Sequence, residues 1–370
     1  MINMGLKAGI IGLPNVGKTT LFNAVIKAKM PAINYPFATI EPNVGVVEVP
    51  DWRMEKLIEI YKPRKVVYTS FELTDVAGLV RGSSKGEGLG NQFLSYIRSC
   101  DSLCQVVRCF DDSDVIHVEG TIDPIRDIET IQLELIFADL EVVEKRLPKI
   151  EKRAQTKADN EAVEEYHILK RIHDQLMDEK PIRSLSITKE EQKIIKNFSF
   201  LTAKPMLYVC NISESELENP EQNEAVQKIK ERAKIENARI TAVSAKIEQE
   251  LSELEEADRL QFMAELEIKQ SGLDDLIRKT YDLLGLETFF TASEKEVRSW
   301  TFRKGMKAPE CGGVIHSDFE KGFIRAETIA FLDLLSSGSE TKAKELGKYR
   351  LEGKEYVAKD GDIFHFRFNL

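Results

Sequence analysis

Apolar positions in the first third of the chain fall in short runs of strand length, separated by stretches with helical spacing. Lys7 to Leu13, Val44 to Val49, Val66 to Val76 and Leu103 to Phe110 read as strands, with helices expected after Gly17 and after Gly90. The alternation resumes with a strand at Pro205–Asn211, a helix from about Pro220, a strand at Arg239–Ser244 and the amphipathic Gly272–Leu284. Such a rhythm implies an α/β domain, and its interruption implies that the domain is split into residues 1–127 and 201–286. In the gap, Ile136, Leu140, Val143, Leu147 and Ile150 recur at spacings of 4, 3, 4 and 3, and Leu169, Ile172 and Leu176 at 3 and 4. Two long helices are expected there, forming an arm over residues 128–200, with a kink at Pro148 and a turn at Thr156–Asn160. Its charged outer faces suit a solvated strut or a surface that touches a partner.

After Leu286 the pattern changes to short β-prone pieces, Val297–Phe302, Gly322–Ile324, Tyr356–Ala358 and Asp362–Phe368. Residues 287–370 are expected to form a compact α+β module.

At 370 residues, several domains are expected. The formal net charge is −10, which argues against a globally cationic nucleic-acid coat and confines any such contact to a local patch. Nothing approaches 18 uninterrupted apolar residues, and the N-terminus lacks signal-peptide features, so a cytoplasmic protein without membrane contact is expected. Cys100, Cys104, Cys109, Cys210 and Cys311 show no zinc spacing and read as free buried thiols.

The chemistry concentrates near the N-terminus. Gly12-Leu13-Pro14-Asn15-Val16-Gly17-Lys18-Thr19 matches G-x-x-x-x-G-K-[ST] between an expected strand and the helical run from Thr20. The glycines let backbone amides wrap phosphates at a helix N-terminus, Lys18 reaches the outer phosphates, and Thr19 offers a hydroxyl to Mg²⁺. Leu13-Pro14 excludes a dinucleotide-binding G-x-G-x-x-G. Asp75-Val76-Ala77-Gly78 closes a strand, which suits a carboxylate holding Mg²⁺ and a Gly78 amide meeting the γ-phosphate. Thr39 is the only Ser or Thr between Thr20 and Thr69, so a switch loop closing on the metal must draw its hydroxyl from there. Five glycines from Gly78 to Gly90 suit a segment that senses the γ-phosphate.

The motifs G-L-P-N-V-G-K-T-T-L-F-N-A and D-V-A-G-L-V-x-G, with the three-part layout, resemble the YchF family, Obg-like ATPases within the translation-factor class of P-loop NTPases. The resemblance covers essentially the whole chain. It implies a nucleotide domain interrupted by a helical, coiled-coil-like arm, a C-terminal TGS domain of ubiquitin-like fold, and a ribosome-associated role.

GTPases of this class read guanine with N-K-x-D, where the aspartate takes both guanine N–H donors. Here Asn211-Ile212-Ser213-Glu214 removes the lysine stem that covers the ring and moves the carboxylate out by one methylene. Losing such a bidentate readout is worth about 1–3 kcal/mol. The variant resembles the family's ATP-accepting form, in which backbone around Ile212 meets the adenine edge; a degraded guanine site is the alternative. Ser244-Ala245-Lys246 resembles the loop that closes over the base. Leu79 stands where Ras-like enzymes carry the water-orienting glutamine. His117, on the polar loop Asp111–Gly120, is one candidate replacement, and the family carries a histidine in this loop. Asn15 is the other, since related NTPases use an asparagine there to help hold K⁺.

Arg298, Arg303, Lys304 and Lys307 are interleaved with Trp300 and Phe302, which suits RNA phosphate contact with base stacking, or a solvated face over two core aromatics. The expected function is a monomeric Mg²⁺-dependent ATPase, weaker on GTP, that binds the ribosome, as rRNA or ribosomal protein, through the TGS domain and arm. The alternatives are an Obg-type GTPase and a binding protein gated by nucleotide occupancy alone.

Overall fold

The computed structural model describes residues 6–29, 43–76, 89–112, 120–155, 159–266, 268 and 271–369. Thr39, Gly78, Leu79, His117 and most of the expected turn at Thr156–Asn160 lie outside the described residues. The chain opens with β1 (Lys7–Ile11), α1 (Lys18–Lys29), β2 (Val44–Glu48), α2 (Trp52–Tyr61), β3 (Val66–Val67), β4 (Ser70–Asp75), α3 (Leu89–Ser99) and β5 (Ser102–Arg108). The middle supplies α4 (Pro124–Ala154), α5 (Asn160–Met177) and α6 (Lys189–Ile195), followed by β6 (Met206–Asn211), α7 (Glu224–Ile235), β7 (Arg239–Val243), α8 (Ala245–Glu253), α9 (Glu256–Glu265) and α10 (Gly272–Leu283). Then come β8 (Leu286–Ala292), β9 (Val297–Arg303), α11 (Ala308–Ile315), α12 (Ser317–Lys321), β10 (Phe323–Ala330), α13 (Phe331–Ser337), α14 (Glu340–Glu345), β11 (Arg350–Glu352) and β12 (Asp362–Phe368). Among the described residues no helix is long and apolar enough to cross a membrane.

One sheet has the order β2-β4-β1-β5-β6-β7. Its β4, β1, β5, β6 and β7 pair in parallel, so their carboxyl ends share one edge. In open α/β sheets that edge is where ligands bind. β5 and β6 are buried at every position, which is why both read as continuous apolar runs rather than alternating ones. A second sheet has the order β11-β10-β12-β8-β9-β3 and is mixed, with β8, β10 and β12 at its centre.

The chain forms two compact units, one built from Leu6–Gly45 with Glu72–Thr280, the other from Val46–Phe71 with the chain from Tyr281 onward. This differs from the expectation of an uninterrupted first part over residues 1–127. The expected single strand Val66–Val76 is likewise divided, because β3 pairs with β9 in the second sheet while β4 pairs with β1 in the first. The physical reason lies in α2, whose Met54 and Leu57 are buried with Phe290, Val297, Ile329, Phe331 and Ile363 of the second unit. Arg53 reinforces this packing: its guanidinium donates to Asp51 and to Asp360 at 2.6 Å and lies over the Phe290 ring at 5.0 Å.

In the arm, α4 continues through Pro148, and Ile136, Val143 and Ile150 pack with Ala162, Ile168, Leu169, Ile172 and Leu176 of α5. Arg146 donates to both carboxylate oxygens of Glu165 at 2.5 and 2.9 Å across the hairpin.

Asp139 of α4 is fully buried and accepts from the Leu201 and Thr202 amides at 2.9 and 2.8 Å and from the Thr202 hydroxyl at 2.8 Å. Burial outweighs these donors and pushes its pKa up to about 6. The folded state therefore holds this proton more tightly than the unfolded chain, and Asp139's contribution falls as pH rises from the ordinary carboxylate range through about 6. Asp139→Ala strands buried donors, each worth about 1–3 kcal/mol, so a loss of about 2–4 kcal/mol is expected in denaturant unfolding, larger at pH 5 than at pH 7.5. An unchanged midpoint at both pH values contradicts this.

Candidate nucleotide site

The loop after β1 is shaped by contacts that only glycine tolerates. A Cβ at Gly12 would lie 3.0 Å from the Val106 carbonyl oxygen, and one at Gly17, where φ is 90°, would run into the Asn211 carboxamide. Asn15 also takes a left-handed backbone, φ 62°, with its side chain exposed at the loop's crest. Leu13 and Val16 are buried and pin the loop to the sheet. α1 then starts at Lys18 with no acidic residue in its first turn, so its N-terminal field stays favourable to phosphate. Thr20 is half-buried in that first turn.

Asp75 ends β4 beside Ile10 of β1. Lys18 Nζ donates to Asp75 Oδ1, both side chains being about nine-tenths buried, and Thr19 Oγ1 lies 3.4 Å from Asp75 Oδ2 as a donor. A hydroxyl and a carboxylate side by side are the hard oxygen donors that Mg²⁺ requires, so the residues fit that ion. Thr39 and Gly78, expected to complete this end, lie outside the described residues.

At the other end, Asn211 is buried and bridges two loops: its Nδ2 donates to the Val16 carbonyl at 2.9 Å, and its Oδ1 accepts from the Ala245 amide at 2.9 Å. Ile212 follows with its side chain buried and its amide donating to the Val243 carbonyl at 2.8 Å. The Ile212 amide is thus already committed within the protein. Glu214 is exposed, whereas Glu216 is taken up capping Ser213 and accepting from Asn223 at 2.8 Å. Ser244 is buried at the start of α8 and its carbonyl accepts from Glu248 at 3.0 Å, which places Ala245 against Asn211.

Arg108 was not singled out by motif. It is fully buried at the end of β5, in register with Asn211, and donates to the Phe110 and Asp112 carbonyls at 3.3 and 3.0 Å while lying 4.6 Å over the Phe110 ring. A lone arginine closing an otherwise uncharged buried strand was the available signal. It braces the start of the polar loop whose His117 lies outside the described residues. All five cysteines are free and buried, and burial pushes the Cys104 and Cys311 thiols up to about 12, so these two are poor nucleophiles at neutral pH.

The basic segment of β9 is less open than the sequence suggests. Phe302 is fully buried in the core with Phe289 and Phe364. Trp300 stacks on Phe289 at an interplanar angle of 11°, donates its indole N–H to Thr291 at 2.9 Å, and is covered by Arg298 at 3.9 Å. Neither ring is a free stacking platform. Lys307 is paired with Glu355 at 2.5 Å and Lys304 lies 3.6 Å from Glu287.

A phosphate-wrapping loop between a parallel strand and a helix, an aspartate closing the neighbouring strand, and an asparagine joining that loop to a Ser-Ala corner define a P-loop nucleoside-triphosphatase fold of the GTPase type. A family model described as a 50S ribosome-binding GTPase matches residues 7–146, and a C-terminal model of the YchF GTPases, described as a protein of unknown function, matches 286–369. The ribosome-binding ATPase YchF of Bacillus subtilis is 59% identical, covering 99% of this chain and 100% of its own; that of Escherichia coli O157:H7 is 47% identical at the same coverage. The solved YchF GTPase of Schizosaccharomyces pombe superposes with a TM-score of 0.87 at 41% identity, covering 98% of each chain. The chain belongs to the YchF family.

Lys18→Ala removes the cation paired with Asp75, and Thr19→Ala removes the hydroxyl beside Asp75. Each should lower triphosphate hydrolysis by about 10²-fold or more without altering the circular dichroism spectrum. Parent-level hydrolysis in Lys18→Ala contradicts the assignment.

Proposed function

We propose that this protein is a Mg²⁺-dependent ATPase, weaker on GTP, that works as a nucleotide-controlled switch on the ribosome. The observation that carries the base preference is the corner after β6: Ile212 is turned into the core, where its side chain cannot cover a guanine ring, and Glu214 is exposed. The ribosomal role is supported by the names of relatives at 47–59% identity over the whole chain.

In this reading Gly12, Asn15, Val16, Gly17, Lys18, Thr19 and Thr20 hold the phosphates, with Gly78 contributing its amide. Asn211, Ile212, Glu214, Ser244 and Ala245 frame the base. Thr19, Thr39 and Asp75 hold Mg²⁺, which when bound neutralises phosphate charge. Lys18 adds its own charge at the outer phosphates. His117 accepts a hydrogen bond from the attacking water and orients it, a task closed to Leu79, while Asn15 contributes to K⁺ retention. The arm and the TGS domain contact the ribosome. There Arg303 and Lys304 contribute phosphate contacts without base stacking, since Trp300 and Phe302 are engaged in packing. The protein acts as a cytoplasmic monomer.

Equilibrium titration with ATP and GTP, followed by ribosome co-sedimentation with ATP, a non-hydrolysable analogue or no nucleotide, tests both parts. ATP should bind at least as tightly as GTP, and ribosome association should depend on the nucleotide. A GTP affinity tenfold tighter, a difference of about 1.4 kcal/mol, favours the Obg-type GTPase instead. Charge reversal at Arg303 and Lys304 should weaken ribosome association and flatten its salt dependence; unchanged, salt-insensitive binding returns these residues to a solvated face.

A further inference from the structure

The base of the arm meets the nucleotide unit through a buried polar cluster that the catalytic reading does not use. Its hub is Glu236, just after α7 and almost wholly buried. One carboxylate oxygen accepts from Arg232 Nε at 2.8 Å; the other accepts from the Tyr208 hydroxyl at 2.6 Å and from the Arg183 guanidinium. Arg183, in the turn Ile182–Ser184 after α5, also donates to Tyr208 at 3.0 Å and to Gln132 of α4 at 3.1 Å. Arg232 reaches Glu129 of α4 at 2.8 Å. Both ends of the helical arm are thus tied to α7 and β6 through one carboxylate.

The cluster is not built to maximise stability. Arg183 Nε is buried without a partner among the described residues, and buried ion pairs are often no better than apolar packing of equal volume. What such a cluster provides is geometry, because each donor direction is fixed by its acceptor. Burial disfavours the Glu236 charge, but Arg183, the Tyr208 hydroxyl and Arg232 outweigh it and hold the carboxyl below the usual glutamate range. The Glu236 carboxylate therefore stays ionised at neutral pH.

Its position gives that geometry a consequence. Tyr208 lies fully buried on β6, three residues before Asn211, the side chain that fixes the phosphate loop and the Ser244-Ala245 corner. We propose that the Glu236 cluster is a coupling joint, which makes the pose of the arm's base and the placement of the base-reading end of β6 a single two-state element. Nucleotide that orders the Asn211 corner then also orders residues 128–140 and 181–187, the part of the arm that would transmit occupancy to a partner. This inference rests on the nucleotide-site reading.

The test uses the full-length protein, with hydrogen exchange of arm peptides measured with and without ATP in the parent, Tyr208→Phe and Glu236→Gln, alongside ATP titration of all three. ATP should slow exchange in residues 128–140 and 181–187 of the parent by at least about threefold. Both variants should retain ATP affinity while losing more than half of that slowing. Tyr208→Phe removes one hydroxyl and keeps the buried ring, so it keeps the test decisive should Glu236→Gln fold poorly. If ATP binds and the arm's exchange is unmoved in the parent, or moves equally in Tyr208→Phe, the joint is overturned. If the parent fails to bind ATP, the nucleotide reading falls and takes the joint with it.

Discussion

The carboxamide of Asn211 is the interaction on which the site depends. A carboxamide has one donor end and one acceptor end in a fixed plane, and here each is committed: Nδ2 to the phosphate loop at Val16, Oδ1 to the base corner at Ala245. Gly17 must be glycine because this same group occupies the space of a Cβ. The clamp works because β6 is buried along its whole length and delivers Asn211 to the carboxyl edge of the sheet without freedom to shift. Leaving either partner unpaired in that setting costs about 1–3 kcal/mol.

Around this clamp the charges divide by distance from solvent. Lys18 and Asp75, both largely buried, hold each other at the phosphate end, and Thr19 stands beside them. At the base end the fixed groups are neutral: the Ile212 side chain is turned inward, and Glu214 is on the surface. Strong rejection of a wrong base requires buried polar groups that the wrong base leaves unpaired, and neither Ile212 nor Glu214 supplies one here. Arg108 braces the loop after β5, and the Glu236 cluster ties the arm to β6 through Tyr208.

Much of this was legible in the chain. The phosphate loop, Asp75 and the Asn211 corner were marked by residue type at fixed spacing at strand ends, whether the strand is buried throughout, as β6 is, or alternates, as β4 does. The arm was legible because its core positions keep a 3-4 spacing through Pro148. The assignment of Val46–Phe71 to the second unit was not, since α2 has the same short amphipathic pattern whichever sheet it covers. Only the long-range contacts of Met54, Leu57 and Arg53 decide it. The packing of Trp300 was hidden for the same reason: alternation along β9 marks a face, but Phe289 and Thr291, which engage the ring, come from the neighbouring strand β8. Arg183, Tyr208, Arg232 and Glu236 carry no motif, because they come together from separate elements.

The central claim is that Asn211 holds the phosphate loop and the base corner together rather than merely touching the base. Titrating ATP and inorganic tripolyphosphate, each with Mg²⁺, into the parent and Asn211→Ala tests it most directly. If the clamp shapes the phosphate loop, both ligands should weaken by about tenfold or more, corresponding to about 1.4 kcal/mol. Tripolyphosphate affinity left at the parent value while ATP alone weakens would contradict the account.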